Sequence, residues 1–283
     1  MVQNSGTLYI VALPIGNSRD ITLRAIDVLN QADVIACEDT RTFNEAASGL
    51  GVTAKKTVSH HEHNEDESAR GLLELLQSGK DVALVSDAGT PGVSDPGFKL
   101  VREAAKAGVK IVPIPGASSL TTALSVAAIG GRRLFFGGFA PSSSKERRAE
   151  IESARAAVHK FAYLESPHRV VEHLEDVLAV LGDTDVCIAR ELTKTFEEVL
   201  TCTVKEALTH FAKKPPKGEF VLIYLTQDPE PGAVLEKLEE TIVNRLNDGA
   251  SASDIVKEFQ GQTALKKKAL YDLVLKLQKK ISK

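Results

Sequence analysis

Along most of this chain short β-branched runs alternate with amphipathic stretches, and that alternation restricts the fold more than any other feature. The first runs are 7–13, 34–37, 82–86 and 110–114, separated by the amphipathic stretches 21–31, 67–77 and 97–107. In 67–77, Leu72, Leu73, Leu75 and Leu76 form a stripe opposite Glu74 and Gln77. Strand–helix–strand alternation with short links predicts an α/β sheet that binds ligands at the carboxyl ends of its strands. A second series follows Ile129-Gly130-Gly131, with strands expected at 134–139, 161–165, 186–190, 199–204 and 220–226 and helices at 145–158 and 169–181. This places a boundary near 128–133. The expected organisation is one α/β domain over 1–130, a second over 131–227, and a linker plus helical segment over 228–283. The linker is Gln227-Asp228-Pro229-Glu230-Pro231-Gly232; apolar stripes beyond it (Val234, Leu238, Ile242, Leu246, then Leu270, Leu273, Leu277, Ile281) read as helices.

Composition narrows the class. With 283 residues, 43% hydrophobic and 26% charged, the chain is neither collagen-like nor disordered nor a disulfide scaffold. A net charge of −3 does not fit a wholesale nucleic-acid binder, although a local basic face remains compatible with it. Cys37, Cys187 and Cys202 are odd in number and fit neither a metal spacing nor a disulfide framework, which points to a reducing cytoplasm. No secretory leader and no membrane span is expected, so a soluble intracellular protein is. The familiar nucleotide motifs are missing. Gly49-Leu50-Gly51 lacks the third glycine of a dinucleotide fingerprint, and Gly79-Lys80 is followed by Asp81, not Ser or Thr. Dehydrogenase, kinase and glycine-rich methyltransferase readings lose ground accordingly.

Three loops that each follow an expected strand carry the functional signal: Leu13-Pro14-Ile15-Gly16-Asn17, the long Gly/Pro/Asp/Ser stretch 86–97, and Ile114-Pro115-Gly116-Ala117-Ser118-Ser119. Glycine and alanine admit a ligand close to the backbone, proline fixes loop shape, and small hydroxyls donate hydrogen bonds without filling space. One such loop is an ordinary turn; three at successive strand ends indicate a ligand cleft. Charged clusters follow other strands: Glu38-Asp39-Thr40-Arg41, Glu165-Ser166-Pro167-His168-Arg169 and Arg190-Glu191-Leu192-Thr193-Lys194. They point to a polar substrate between two domains, although Asp39 or Thr40 also suits a helix N-cap beside a solvated Arg41. The crowded histidines of Ser59-His60-His61-Glu62-His63-Asn64-Glu65 lack convincing ligand spacing, so a polar loop and helix start is the reading and no metal is expected.

Taken in order, Pro14-Ile15-Gly16-Asn17, Cys37 through Arg41, His61-Glu62-His63-Asn64, 86–97, Glu165 through Arg169, Ala189 through Lys194 and Lys217-Gly218-Glu219-Phe220 closely resemble the ribosomal RNA small-subunit methyltransferase I family, a branch of the tetrapyrrole (class III) methylases. The resemblance spans roughly 7–226 and, more loosely, the tail. Ala117 departs from a usual proline and His60 from a frequent tyrosine. The resemblance implies two α/β domains of tetrapyrrole-methylase type, generally in a homodimer, with S-adenosylmethionine in the interdomain cleft. The implied reaction is 2′-O-methylation of a cytidine in the decoding region of 16S rRNA, on naked rRNA, the 30S subunit or an assembly intermediate. Matched loop to loop, cofactor contacts would come from Pro14, Ala88, Gly89, Thr90, Val93, Ser118 and Ser119, with Glu165 and Leu192 from the second domain.

A sulfonium methyl is already activated, so alignment of the acceptor is the main task, helped by a base or a cation. Glu38, Asp39, Glu165 and His63 are the candidate bases, and Arg41 and Lys194 the candidate cations. A tetrapyrrole-type small-molecule methyltransferase and a non-catalytic S-adenosylmethionine-binding protein that contacts RNA stand as alternatives. From Gln262 onward, Lys266, Lys267, Lys268, Lys276, Lys279, Lys280 and Lys283 face one acid, Asp272, so the tail reads either as a solvated helix whose leucine stripe packs on the body or as a basic face for rRNA phosphates.

Overall fold

Val34–Cys37 (β2) is apolar and buried at every position, as a strand covered on both faces must be. In the computed structural model, which describes residues 5–226, 231–260 and 267–281, it belongs to a parallel five-stranded sheet. The other strands are β1 (Thr7–Val11), β3 (Thr57–Ser59), β4 (Val82–Leu84) and β5 (Lys110–Ile114), in the order β3-β2-β4-β1-β5. Pro113 sits on the edge strand β5, where its missing N–H breaks no interior ladder. Alternate side chains serve opposite faces. Val11, Ile35, Cys37, Ala83 and Val85 pack with α1 (Leu23–Gln31) and α2 (Thr40–Gly49). Leu8, Val34, Ala36, Val82 and Leu84 pack with α3 (Glu65–Gln77) and α4 (Phe98–Lys106). The stripe expected on 67–77 divides: Leu72 and Leu76 are buried, while Leu73 and Leu75 are partly so.

The second sheet contains β6 (Leu134–Phe139), β7 (Lys160–Glu165), β8 (Asp185–Arg190), β9 (Glu198–Thr203) and β10 (Phe220–Leu225), ordered β6-β7-β10-β8-β9. β6 and β7 are parallel and the remaining pairs antiparallel. One face is covered by α6 (Ser144–Ala154), α7 (Val170–Leu181) and α8 (Val204–Lys213). The strand expected to run to 204 stops at Thr203, because that residue and Glu206 form a capping box that starts α8. Arg147 on α6 is fully buried: its Nε donates to Asp176 Oδ2 at 2.7 Å and its Nη1 to the Pro141 carbonyl at 2.9 Å.

The opposite face of this sheet is covered by α5 (Ser119–Val126), a helix that follows β5 of the first sheet. Ala123, Leu120 and Leu124 of α5 join Ile15 against Ala162, Ala189, Leu192, Val221 and Ile223. Through this shared core both sheets lie in one unit that ends at Leu225.

A second unit begins at Thr226 and contains α9 (Pro231–Asn247), α10 (Ala252–Phe259) and α11 (Lys267–Ile281). Its core is Ile242, Ile255, Val256, Leu270, Val274 and Leu277, with Leu238, Leu246 and Leu273 packed against it, so these members of the stripes expected in the tail are satisfied within the unit; the side chains of Val234 and Ile281 lie outside the described ones. Lys267, Lys268, Lys276, Lys279 and Lys280 are exposed. Residues 1–4, the linker segment 227–230, Gln262, Lys266 and Lys283 lie outside the described residues. No described helix is long and apolar enough to cross a membrane.

Candidate functional site

Parallel pairing puts the carboxyl ends of β1, β2, β4 and β5 on one edge of the first sheet, and the chain stitches the loops that leave them. Leu13 N–H donates to the Gly89 carbonyl at 2.8 Å and Gly89 N–H returns a bond to the Leu13 carbonyl at 3.1 Å. Thr90 Oγ1 donates to the Ala117 carbonyl at 3.2 Å, so the second loop is tied to the third even without a proline there. A Cβ on Gly116 would lie 2.9 Å from that of Ala12, a closeness only glycine permits. The α4 N-terminus is fixed by Glu65 Oε1, which accepts from Gly97 and Lys99 N–H groups at 3.0 and 3.3 Å.

In the second sheet, register places Phe139 beside Leu164, Phe220 beside Glu165, and Arg190 beside both Phe220 and Glu198. The carboxyl ends of β6, β7 and β8 therefore share an edge with the amino ends of β9 and β10. That brings Gly218-Glu219, which precede a strand, to the same place as Glu165 and Leu192. The two edges enclose a cavity of about 360 Å³.

Ala88, Gly89, Thr90, Val93, Ser118, Ser119, Glu165 and Leu192 line this cavity, as does Glu38. Pro14 does not; its neighbour Ile15 takes the wall. The candidates Asp39, Arg41, His63 and Lys194 also stand off the cavity wall, and for Asp39 and Arg41 the structure shows the alternative reading, a helix N-cap beside a solvated arginine. Asp39 is the N-cap of α2, accepting from Arg41 N–H at 2.8 Å, and its carboxylate pairs with the Arg41 guanidinium at 3.1 Å. The Arg41 side chain and its N–H, with that of Thr42, hold the Asp39 carboxyl down at about 2, and Arg41 itself is largely solvated. His63 lies in a single 3-10 turn, Glu62–Asn64, edge-on to His61 at 6.0 Å. Lys194 pairs with Glu191 at 2.9 Å and with the cavity-lining Glu219 at 3.0 Å, so its charge is spent bracing the rim. His60 is buried, its Nδ1 2.7 Å from Ser68 Oγ, and it presents no stacking face.

The structure adds residues that sequence reasoning passed over. Asp87, Asp95, Phe136, Phe139 and Glu219 line the cavity. Asp87 and Asp95 were within the second loop, hidden among its turn residues. Burial and the neighbouring charges of Glu38 and Asp87, opposed by a hydrogen bond from Ser86, push the Asp95 carboxyl up to about 6. Burial and Asp87 raise Glu38 as well, against the Asp87 N–H that donates to Glu38 Oε1 at 3.4 Å. Glu165 behaves oppositely. Burial opposes its ionisation, but His173, the Ser166 N–H and Arg169 outweigh that and hold it below the ordinary carboxylate range. Its oxygens accept from Ser166 N–H at 2.8 Å, meet Arg169 Nε at 3.2 Å, and lie 3.0 Å from His173 Nδ1. Burial lowers the His173 pKa against the pull of Glu165, which favours the neutral ring. Its Nδ1–H then points at Glu165, and its Nε2 accepts from the buried Tyr224 hydroxyl at 3.2 Å. No motif could have disclosed His173, an isolated histidine inside a helix.

Small loops tied by backbone bonds and carboxylates from both sheets thus share the cavity wall. That combination suits a cationic ligand of moderate size. Among the described residues no three His, Cys, Asp or Glu side chains are grouped to hold a metal ion.

Comparison with known proteins agrees with this architecture. Residues 7–208 match the family described as Tetrapyrrole (Corrin/Porphyrin) Methylases. A Haemophilus influenzae protein named ribosomal RNA small subunit methyltransferase I is 40% identical over 287 residues, covering 97% of this chain and 98% of that protein. One of the same name from Halalkalibacterium halodurans is 45% identical over 78% of this chain and 76% of its own length. Among solved structures, cobalt precorrin-4 methyltransferase (TM-score 0.58, 18% identity, 77% of this chain and 94% of that one) and diphthine synthase (TM-score 0.60, 18% identity, 82% and 95%) share the fold.

Proposed function

We propose, for a chain that belongs to the ribosomal RNA small subunit methyltransferase I family of tetrapyrrole methylases, that it uses S-adenosylmethionine to methylate the ribose 2′-oxygen of a cytidine in the decoding region of small-subunit rRNA. The observation that carries this reading is the cavity between the strand ends, where small-residue loops of the first sheet meet carboxylates from both sheets. The residues present fit the cofactor. Gly89 and Ala88 leave room at the wall, Ser118 and Ser119 offer hydroxyls, and Glu38, Asp87 and Asp95 complement a cationic sulfonium and ammonium. When bound, the cofactor supplies a methyl group already activated by its positive sulfur.

The chain's own residues then have three tasks. Leu192, Ile15 and Leu120 exclude water from the cleft. Glu165, fixed by Ser166, Arg169 and His173, presents one orientation and serves as an acceptor for a donor hydroxyl; firmly ionised and already engaged, it is a positioning group. Asp95 receives the proton that the 2′-hydroxyl loses as the methyl is transferred, because a carboxyl near 6 is ionised at neutral pH yet basic enough to hold it, and Glu38, raised by burial and Asp87, supplies one of the negative charges that lift Asp95. Asp39, Arg41 and His63 are off the cavity wall and take no part in these tasks, while Lys194 holds the lining Glu219. Charged walls argue against a macrocyclic small-molecule acceptor, which would favour a more apolar cleft.

We extend the proposal to a homodimer acting in the cytoplasm, as the family implies. Methyl transfer from labelled cofactor to undermethylated small subunits, with and without Asp95→Asn, tests the reading. Label in rRNA that falls sharply in the variant supports it; a variant as active as the wild type removes Asp95 from the role.

A further inference from the structure

β6 ends irregularly. Its pairing with β7 shifts register between Phe136 and Phe139, and Gly137 and Gly138 occupy the shift. A Cβ on Gly137 would come 2.2 Å from Cε1 of the Tyr163 ring. Gly138 has φ of 63°, and a Cβ there would meet Ser94 Oγ at 2.8 Å. Ser94, in the second loop, is itself left-handed with φ of 70°. The chain is therefore bent at a point where neither position admits a side chain, as bulges beside binding sites do to redirect a residue. The redirected residue is Phe139, on the cavity wall with 60% of its surface exposed.

The following residues fix that bend. Ala140 is buried and its carbonyl accepts from Arg169, the residue that also holds Glu165; the Pro141 carbonyl accepts from the buried Arg147. A large apolar ring left in water contributes little to the fold, so neither packing nor burial accounts for this placement. A ring that is both anchored and open offers a π-face with little ordering left to lose on binding.

Building on the proposed rRNA activity, we propose that Phe139 is the stacking platform for the nucleobase of the acceptor nucleotide, turned out of the rRNA so that its ribose reaches the carboxylates inside. Aromatic stacking is how proteins hold unstacked RNA bases, and a base in a duplex cannot bring its sugar into a cleft of this kind. Exposed Phe139 and buried Glu165, one residue beyond the β7 partner Leu164 of Phe139, line the same cavity.

The test uses the full-length protein and undermethylated small subunits, with Phe139→Ala, Phe139→Leu and Phe139→Tyr. Stacking on an aromatic is worth a factor of about 5 to 150, so Phe139→Ala should lose that much in kcat/KM for the subunit, mainly through KM. Phe139→Tyr should keep most of the activity and Phe139→Leu should resemble the alanine variant. Binding of S-adenosylmethionine, measured by calorimetry without RNA, should stay at the wild-type value, and so should the oligomeric mass. The proposal is overturned if alanine costs nothing, if leucine rescues as well as tyrosine, if cofactor affinity falls in parallel, or if the assembly dissociates. Wild-type protein that leaves rRNA unmethylated would remove the underlying reading, and this proposal with it.

Discussion

Gly89 gives the sharpest test of where the cofactor binds. Its φ is +73°, and a Cβ there would meet Ile15 Cγ2 at 3.4 Å and the Ala117 carbonyl at 3.8 Å, both ordinary contacts. Its two backbone bonds to Leu13 survive any side chain. Gly89→Ala therefore costs only the left-handed backbone, about 1–2 kcal/mol. In a unit of this size that lowers Tm by roughly 2–8 °C and leaves the fold intact. Gly89→Leu adds bulk to a cavity of about 360 Å³. Overfilling a packed site costs about 1–3 kcal/mol, so affinity for S-adenosylmethionine falls about 5- to 150-fold. The assay is thermal melting with and without cofactor. At 100 times its Kd the cofactor stabilises the wild type by about 2.7 kcal/mol, a rise of roughly 5–11 °C. Gly89→Leu should lose about a third to nine-tenths of that rise at the same concentration. A leucine variant that melts cooperatively and shows the full wild-type rise would refute the placement of the cofactor in this cleft.

Other consequences follow from the charges. Methyl transfer that needs ionised Asp95 should decline as pH falls through about 6, and Glu38→Gln, which removes a neighbouring negative charge, should move that limb to lower pH. An unchanged limb in both Glu38→Gln and Asp95→Asn would exclude the pair. Because the folded-state carboxyl is raised, Asp95 favours folding at acid pH and this contribution is lost as pH rises through about 6; Asp95→Asn should therefore melt no lower than wild type at pH 8. Asp176→Ala leaves Arg147 buried with only Glu172 and the Pro141 carbonyl, which should cost about 3 kcal/mol and lower Tm by roughly 6–12 °C; a shift under about 2 °C contradicts that. Deleting residues from Asp228 onward removes the exposed lysines of α11 and should leave cofactor affinity unchanged. The salt slope of rRNA binding should fall by up to about 0.9 for every duplex phosphate those lysines neutralise, less on single strands. Equal binding across a salt series would make the helical unit dispensable for RNA.

The doubly covered sheets were legible because continuous apolar runs such as Val34–Cys37 and the stripe of Leu72 and Leu76 have few other solutions. The elements missed were short or locally ambiguous. β3 has three residues, and α5 is Ser/Thr-rich, helical because its apolar side chains cover the second sheet. α2 was foreshadowed by the possibility that Asp39 caps a helix, and that same capping removes Asp39 from the cleft. The small-residue loops were readable as cavity walls from composition and position. Strand order and register were not, so Glu219 and Phe139 could not be joined to Glu165 from sequence. Nor does any local pattern separate a solvated charge from a paired one: Arg41 and Lys194 look alike in sequence to a catalytic cation, yet each is held by a carboxylate partner.

The proposed reaction would leave a mark that can be read directly, a methyl group on one ribose of small-subunit rRNA. Small subunits from cells lacking the modification, incubated with the protein and S-adenosylmethionine labelled in its methyl group, test it directly when the rRNA is then hydrolysed in alkali. A 2′-O-methyl group blocks cleavage of the adjoining phosphodiester, so the account predicts label in a single alkali-resistant dinucleotide that begins with cytidine. Label on a base, or in fully hydrolysed mononucleotides, would contradict it.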